Sequence, residues 1–355
     1  MRIAFLGLPG SGKTTVFNAV AETPVEVAYH AEPHVQVVKV HDRRLDHLRD
    51  MFQPKKFTPA GLELWDAPGL PEGADERDKE RRIRLLASLR EADAYVIVLR
   101  GFRTERYPYE REAPDPAADL ARIVEELVTA DFVVAEGRMA RLQENLKRGV
   151  RTKDDDRLEL AVVDKCVERL EAGRGLADLE LDEADEKRIR GFQFFARKPL
   201  LVLVNGPDEV PDGLGADSPL AFRETLALDA QLEAEVAAMD PDERPAFLEE
   251  FGIEEPAAER FAHAVYRGVG LISFFTVGDD EVRAWTLKDG QGAVDAAGKI
   301  HTDLARGFVR AEVYAYDEIA EAGGEKELKA KGLMRLEAKA YVVKDGEIVH
   351  IRSAT

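Results

Sequence analysis

Residues 7–14 spell G-x-x-x-x-G-K-T, and the residues on either side leave few folds open to the chain. Residues 2–6 are apolar after Arg2 and have the length of a buried strand; from Thr15 onward (TVFNAVAE) the spacing predicts a helix. Strand, glycine loop and helix in this order are the context in which the motif is a phosphate-binding loop. The fold this predicts is α/β, a doubly wound sheet of the P-loop NTPase type. Gly7, Gly10 and Gly12 let the backbone turn tightly and bring its N–H groups onto phosphate oxygens. The helix N-terminus adds partial positive charge at the same place. Lys13 is then placed to reach β- and γ-phosphates, and the Thr14 hydroxyl to bind Mg²⁺. The nucleotide-binding set read from this stretch is Leu8, Pro9, Gly10, Ser11, Gly12, Lys13, Thr14 and Thr15. A glycine-rich turn with a chance lysine is the alternative, and it leaves the flanks unexplained.

A chain of 355 residues has room for two or three domains with a real core. Its strongest apolar runs, residues 94–99 and 200–204, are far too short to span a bilayer, so no membrane partner is expected. The apolar start leads straight into the glycine loop, unlike a signal peptide. Cys166 is the one cysteine, which excludes an internal disulfide framework and fits a cytoplasmic location. It falls in a helical pattern and reads as core. The net charge of −19 argues against a generic nucleic-acid binder, and DNA is not expected as a partner. The charge is uneven: residues 132–196 carry net −2 and residues 271–355 net −3, leaving −14 for the remainder. Any RNA contact is expected from the two near-neutral parts.

Farther along, His30, His34, His41 and His47 invite a metal reading, but only the first two have i, i+4 spacing and Pro33 interrupts a helix between them. Residues 35–40 read as a strand and 43–51 as an amphipathic helix. A strand over 61–65 ends in Asp66-Ala67-Pro68-Gly69. In P-loop switch proteins such a D-x-x-G lies beside the glycine loop: the aspartate holds Mg²⁺, usually through water, and the glycine N–H senses the γ-phosphate. The catalytic set is therefore Lys13, Thr14, Asp66 and Gly69, with Thr14 and Asp66 as the metal ligands. Residues 72–84 are a charge run, read as a solvated loop or helix face. Residues 94–99 are a buried strand and 117–134 a helix. The strand over 200–204 ends in Asn205-Gly206-Pro207-Asp208, where Asn205 and Asp208 stand as purine readers; a plain Asn-Gly-Pro turn is the alternative. A last strand over 223–228 leads into Asp229 and Ala230 as a second base-side loop.

Residues 132–196 are charged and helical in period, with a break over 147–153, and read as a helical hairpin inserted in the nucleotide domain. Lys147, Arg148, Arg151 and Lys153 would stand at its tip, as a solvated turn or as a contact for rRNA or another polyanion. From residue 271 the pattern becomes short strands (273–276, 283–286, 310–315, 341–343, 348–351) around helices near 293–305 and 325–331, a compact α+β module. The expected organisation is a P-loop domain over 1–131 and 197–270, an insertion over 132–196 and a final module over 271–355.

These segments together resemble the YchF / Obg-like ATPase family over essentially the whole length. The most specific matches lie late in the chain: residues 275–278 (FTVG), EVRAWT at 281–286, GKIHTDLARGFVRAEV at 298–313 and YVVKDGEIVH at 341–350. They resemble the family's C-terminal TGS domain, of ubiquitin-like fold. GLPGSGKTT, AEPHVQVV, DRRLDHL, WDAPGL and READAYVIVLR resemble segments of its nucleotide domain. The resemblance implies ATP or GTP binding with Mg²⁺, slow hydrolysis and association with ribosomes. It also implies a hydrophobic residue after D-x-x-G, where Ras-like GTPases carry a water-orienting glutamine; here it is Leu70. Four features depart from the pattern. His30 stands at the first-switch threonine, and residues 71–78 (PEGADERD) replace a glycine-rich second switch. A loop histidine after the 94–100 strand is absent, with Tyr107 and Tyr109 nearby. Asn-x-x-Asp replaces Asn-x-x-Glu. Three functions are compatible with these residues: a slow NTP hydrolase at the ribosome, a nucleotide-binding switch with little or no hydrolysis, and a small-molecule kinase. The kinase leaves the D-x-x-G, the Asn205 loop and the TGS-like tail unexplained.

Overall fold

Strand β1 (Arg2–Leu6) is buried over its last four residues, so it needs neighbours on both edges, and the chain supplies them from far away in sequence. The computed structural model describes residues 1–21, 34–104, 113–148, 153–206, 209–240, 247 and 255–354. The expectations for His30, Tyr107, Tyr109, Arg151 and Asp208 lie outside the described residues. After β1 come α1 (Lys13–Ala21), β2 (His34–Val40), α2 (Arg43–Phe52), β3 (Lys56–Thr58), β4 (Ala60–Asp66), α3 (Glu76–Leu89), β5 (Ala94–Arg100), α4 (Pro116–Arg148), α5 (Lys153–Glu171), α6 (Glu183–Ile189), β6 (Leu200–Asn205), β7 (Phe222–Leu228), α7 (Ala230–Ala238) and α8 (Ala257–Val269).

The first sheet runs in the order β2-β4-β1-β5-β6-β7. The pairs β1–β4, β1–β5, β5–β6 and β6–β7 are parallel, with Phe5 opposite Asp66, Leu6 opposite Ile97, Arg100 opposite Asn205 and Asn205 opposite Leu228. This register gathers the last residues of β4, β5, β6 and β7 at the end of the sheet where β1 enters the glycine loop. In open parallel sheets that end is where ligands bind. Strands β5 and β6 are buried at every position, which is why they read as unbroken apolar runs rather than alternating ones.

Two compact units divide the chain: Met1–Gln36 with Glu63–Ala264, and Val37–Leu62 with Val265–Thr355. In the first, α4 is a single helix of 33 residues, about 50 Å long at 1.5 Å per residue. It runs without a break through residues 131 and 132, where a domain boundary was expected. Helix α5 packs along it, and Arg138 bridges to both carboxylate oxygens of Glu159 at 2.7 Å. Cys166 is buried in α5, and burial pushes its thiol up to about 11, so it is a core residue as expected. No described helix is long and apolar enough to cross a membrane.

In the second unit follow β8 (Leu271–Thr276), β9 (Glu281–Lys288), α9 (Ala293–Ile300), α10 (Thr302–Arg306), β10 (Phe308–Ala315), α11 (Tyr316–Ala322), α12 (Glu325–Ala330), β11 (Arg335–Glu337) and β12 (Glu347–Ser353). Their sheet runs β11-β10-β12-β8-β9-β3 and is mixed: β8–β9, β10–β11 and β10–β12 are antiparallel, β8–β12 and β3–β9 parallel. Phe274, Leu287, Ala296, Val313 and Val349 share its core. Three expectations need correcting. Residues 341–343 are not a strand; Val342 makes one isolated bridge to Gly292. The helix expected over 293–305 is two helices, because His301 between them is extended (φ −162°). And residues 37–62, expected in the nucleotide domain, group with the C-terminal module. Phe57 pairs with Val282, the Thr58 hydroxyl donates to Glu281 at 2.6 Å, and Arg44 reaches Asp345 at 2.7 Å. A three-residue strand such as β3 leaves no period to read in the sequence.

Candidate functional site

The glycine loop leaves β1 and folds back on itself, with the Ser11 N–H donating to Leu8 O at 3.1 Å. Gly12 has φ +78°, and a Cβ there would lie 2.1 Å from Asn205 Nδ2, so no other residue fits. Lys13 and Thr14 open α1 and both turn to the carboxylate at the end of β4. Lys13 Nζ lies 3.0 Å from Asp66 Oδ1, and Thr14 Oγ1 donates to Asp66 Oδ2 at 2.7 Å. Lys13 and Asp66 are buried. The D-x-x-G turn packs directly on the loop: a Cβ on Gly69 would sit 3.3 Å from the Pro9 backbone, and the Leu70 N–H donates to Gly7 O at 3.0 Å. The Leu70 side chain is buried in the same core as Leu8, Ala67, Leu86 and Leu89. It is committed to packing. The Ser11 hydroxyl is buried without a hydrogen-bond partner among the described residues.

On the other side of the loop, Asn205 uses both ends of its amide. Nδ2 donates to Ser11 O at 3.0 Å, and Oδ1 accepts from the Ala230 N–H at 3.1 Å. It ties the glycine loop to the loop after β7. Asp229 accepts from the N–H groups of Gln231 and Leu232, both at 3.1 Å, and so caps α7. Of the expected base-side residues, Asn205, Asp229 and Ala230 are thus brought together, with their polar groups committed to one another and to the scaffold. Sequence reasoning missed Arg100 and Phe102. Arg100 is buried at the end of β5, its Nε donates to Phe102 O at 3.0 Å, and its guanidinium lies 5.2 Å from the Phe102 ring centroid. The Phe102 ring edge comes within 3.3 Å of the Cβ position of Gly12. A charged residue closing a wholly apolar run was the available signal.

The donors gathered at the loop are a hydroxyl and a carboxylate, hard oxygens of the kind Mg²⁺ takes while keeping several waters and phosphate oxygens. Among the described residues no group of three or more His, Cys, Asp or Glu is placed to hold a metal by itself. His41 pairs with Asp46 and His47 with Tyr316, each at 2.8 Å.

Residues 2–135 match the family of 50S ribosome-binding GTPases. Residues 271–354 match the C-terminal YchF-GTPase family, described as a protein of unknown function (DUF933). The chain is 34% identical to the ribosome-binding ATPase YchF of Bacillus subtilis, over 98% of this chain and 97% of that protein. It is 36% identical to the protein of the same name from Haemophilus ducreyi, over 99% and 98%. The chain belongs to the YchF family. Its structure superposes on the Schizosaccharomyces pombe YchF GTPase with a TM-score of 0.83 at 25% identity, covering 99% of this chain and 97% of that one. The α/β P-loop fold expected from the glycine loop is therefore the fold of the YchF relatives as well. Leu70 sits where the resemblance implied a hydrophobic residue, and its burial explains why one is tolerated there.

Proposed function

We propose that this YchF-family chain binds Mg-ATP or Mg-GTP at residues 8–15, hydrolyses it slowly, and does so in the cytoplasm in association with the ribosome. The observation that carries the reading is the convergence of Lys13 and Thr14 on Asp66 at the mouth of the glycine loop. Mg²⁺, when bound, would supply Lewis-acid stabilisation of charge on the phosphates, with the Thr14 hydroxyl and Asp66 as its protein ligands. Lys13 and the loop N–H groups orient the triphosphate and stabilise charge on it. Gly69 packs against Pro9 of the loop, and its N–H is the group expected to sense the γ-phosphate. Leu70 stands at the usual place of a water-orienting glutamine and can neither donate nor accept through its side chain, and even with that glutamine Ras-like enzymes turn over at about 3–5 × 10⁻⁴ s⁻¹ unaided. Turnover of the isolated chain is thus expected well below one per second. Asp66→Ala should bring phosphate release to background. Rapid turnover by the purified protein, or an active Asp66→Ala variant, would overturn the reading.

A second reading, a nucleotide-dependent switch without turnover, is favoured by the Leu70 packing and by the committed amide of Asn205. Single-turnover phosphate release with and without ribosomes separates the two. For the base, ATP is expected to bind at least as well as GTP, with Asn205 and Asp208 at the purine, from the family resemblance and because Pro207 stands where guanine-specific loops carry a base-covering lysine. A tenfold preference for GTP, about 1.4 kcal/mol, would reverse this. For the partner, the basic tip at Lys147 and Arg148 and the near-neutral C-terminal module are the expected contacts. Binding through phosphates would weaken as salt rises, and sedimentation with ribosomes after Arg148→Glu tests the tip.

A further inference from the structure

Helix α3 holds five Lys/Arg against three Asp/Glu in a chain of net charge −19, and its arginines are sorted by face. Arg82 turns inward to Glu126 and to Gly73 O, beside the buried Leu86 and Leu89. Arg90, which caps the helix, turns inward to Asp131. Arg77, Arg81 and Arg84 recur at i, i+4 and i+7, a single outward stripe. All three are exposed, with side-chain exposure of 47% at Arg81 and 80% at Arg84. Ile83, 68% exposed, lies about 100° round the helix from Arg84, in line with Glu76 and Glu80, and is not part of the stripe.

We propose that this outer face of α3 docks on the phosphate backbone of folded RNA. The proposal deepens the ribosome reading, on which it rests for the source of the RNA, and adds a contact outside the two near-neutral parts from which RNA contacts were expected. Guanidinium groups suit phosphate because they donate in a planar fork and are weakly hydrated. The stripe rises about 10 Å from Arg77 to Arg84 at 1.5 Å per residue, long enough to meet more than one phosphate. Its arginines are available: Arg77 pairs with no carboxylate among the described residues, while Arg81 and Arg84 pair only with Asp78 and Glu80 of their own helix, at 3.4 and 3.2 Å. Such exposed pairs contribute little and exchange readily for another anion. The face also begins shortly after Leu70, whose N–H is held by the glycine loop, so the docking surface and the phosphate site share one short stretch of chain.

The test uses the full chain and the R77E/R81E/R84E variant, with R77Q/R81Q/R84Q as a milder second variant should the first fold poorly. Each is sedimented with intact ribosomes and titrated with protein-free ribosomal RNA between 50 and 200 mM salt; nucleotide affinity and melting temperature are followed in parallel. Charge reversal is expected to weaken RNA binding tenfold or more and to lower the slope of log K against log[salt] by about two to three. Nucleotide affinity should stay put. Wild-type affinity and slope in both variants would overturn the proposal. If both variants still sediment with ribosomes and no form binds free RNA, the face is not the contact, and the ribosome reading stands without it. If the wild type binds free RNA through this face but not ribosomes, the docking proposal stands and the ribosome reading falls. If it binds neither, both fall.

Discussion

Asp66 and Asp131 are both buried carboxylates facing a cation from another element, yet their surroundings differ in one respect. Asp131, in α4, accepts from Arg90 at 2.7 Å and from the N–H groups of Phe195 and Ala196 at 3.1 and 2.9 Å. Arg90 in turn donates to Ala130 O and Gln193 O and lies 4.4 Å from the Phe195 ring centroid. Lys198 closes the cluster by donating to the carbonyls of Arg90 and Ala92. Every strong donor and acceptor there has a protein partner. At the glycine loop, Lys13 carries three donors and among the described residues meets one side chain, Asp66, and the N–H groups at the start of α1 have no helical partners of their own. A closed network of this kind fixes where a helix sits, whereas the open one keeps donors for an anion to complete. The two pairs look alike by charge and burial, and only the count of unused donors separates a site from a strut.

The sharpest break of the comparison is Asp131→Ala. It leaves the partly buried Arg90 without its carboxylate and two N–H groups unmet, a loss of about 3–5 kcal/mol in urea denaturation. Nucleotide affinity of the folded protein should be unchanged. Leu70→Ala, at the edge of the open site, is expected to cost about 2–4 kcal/mol of stability through the cavity it leaves. Its turnover should change little, and a large fall in kcat at temperatures where the variant is folded would show that Leu70 acts on more than packing. Lys13→Ala removes charge-assisted contacts of about 1.5–3 kcal/mol, so nucleotide binding should weaken tenfold or more by titration calorimetry. Its loss of stability should be smaller than that of Asp131→Ala; equal losses would erase the distinction between the two pairs.

The smallest effect is with pH. Burial lowers the Lys198 ammonium to about 8, below the ordinary lysine value of about 10.4. The unfolded chain therefore binds the extra proton between these values, and stability should rise as pH climbs from 8 toward 9.5. Below 8 both states are protonated and the contribution is flat. Near pH 10 the trend should turn over, because burial raises Tyr95, Tyr266 and Tyr314 and only the unfolded tyrosines then lose their protons. Lys198→Met should flatten the rise between 8 and 9.5; an unaltered profile would place its origin elsewhere.

The sequence by itself determined the glycine loop, the D-x-x-G turn and the Asn205 loop, along with the two wholly buried strands β5 and β6. These rest on local spacing: a tight turn needs glycines at set offsets, and a strand buried on both faces must be apolar throughout. Helices α2 and α5 and most of the C-terminal strands were legible for the same reason. The tertiary structure alone decided which of the similar arginines in residues 72–90 turn inward to α4 and which form the outer stripe, since that depends on the rotation of α3 against a helix that begins 26 residues after it ends. It alone joined residues 37–62 to the C-terminal sheet, through pairings spanning more than two hundred positions that leave no local period. And it alone showed that the Asn205 amide bonds to both loops, because its partners Ser11 and Ala230 become neighbours only when β1, β6 and β7 take their places in one sheet.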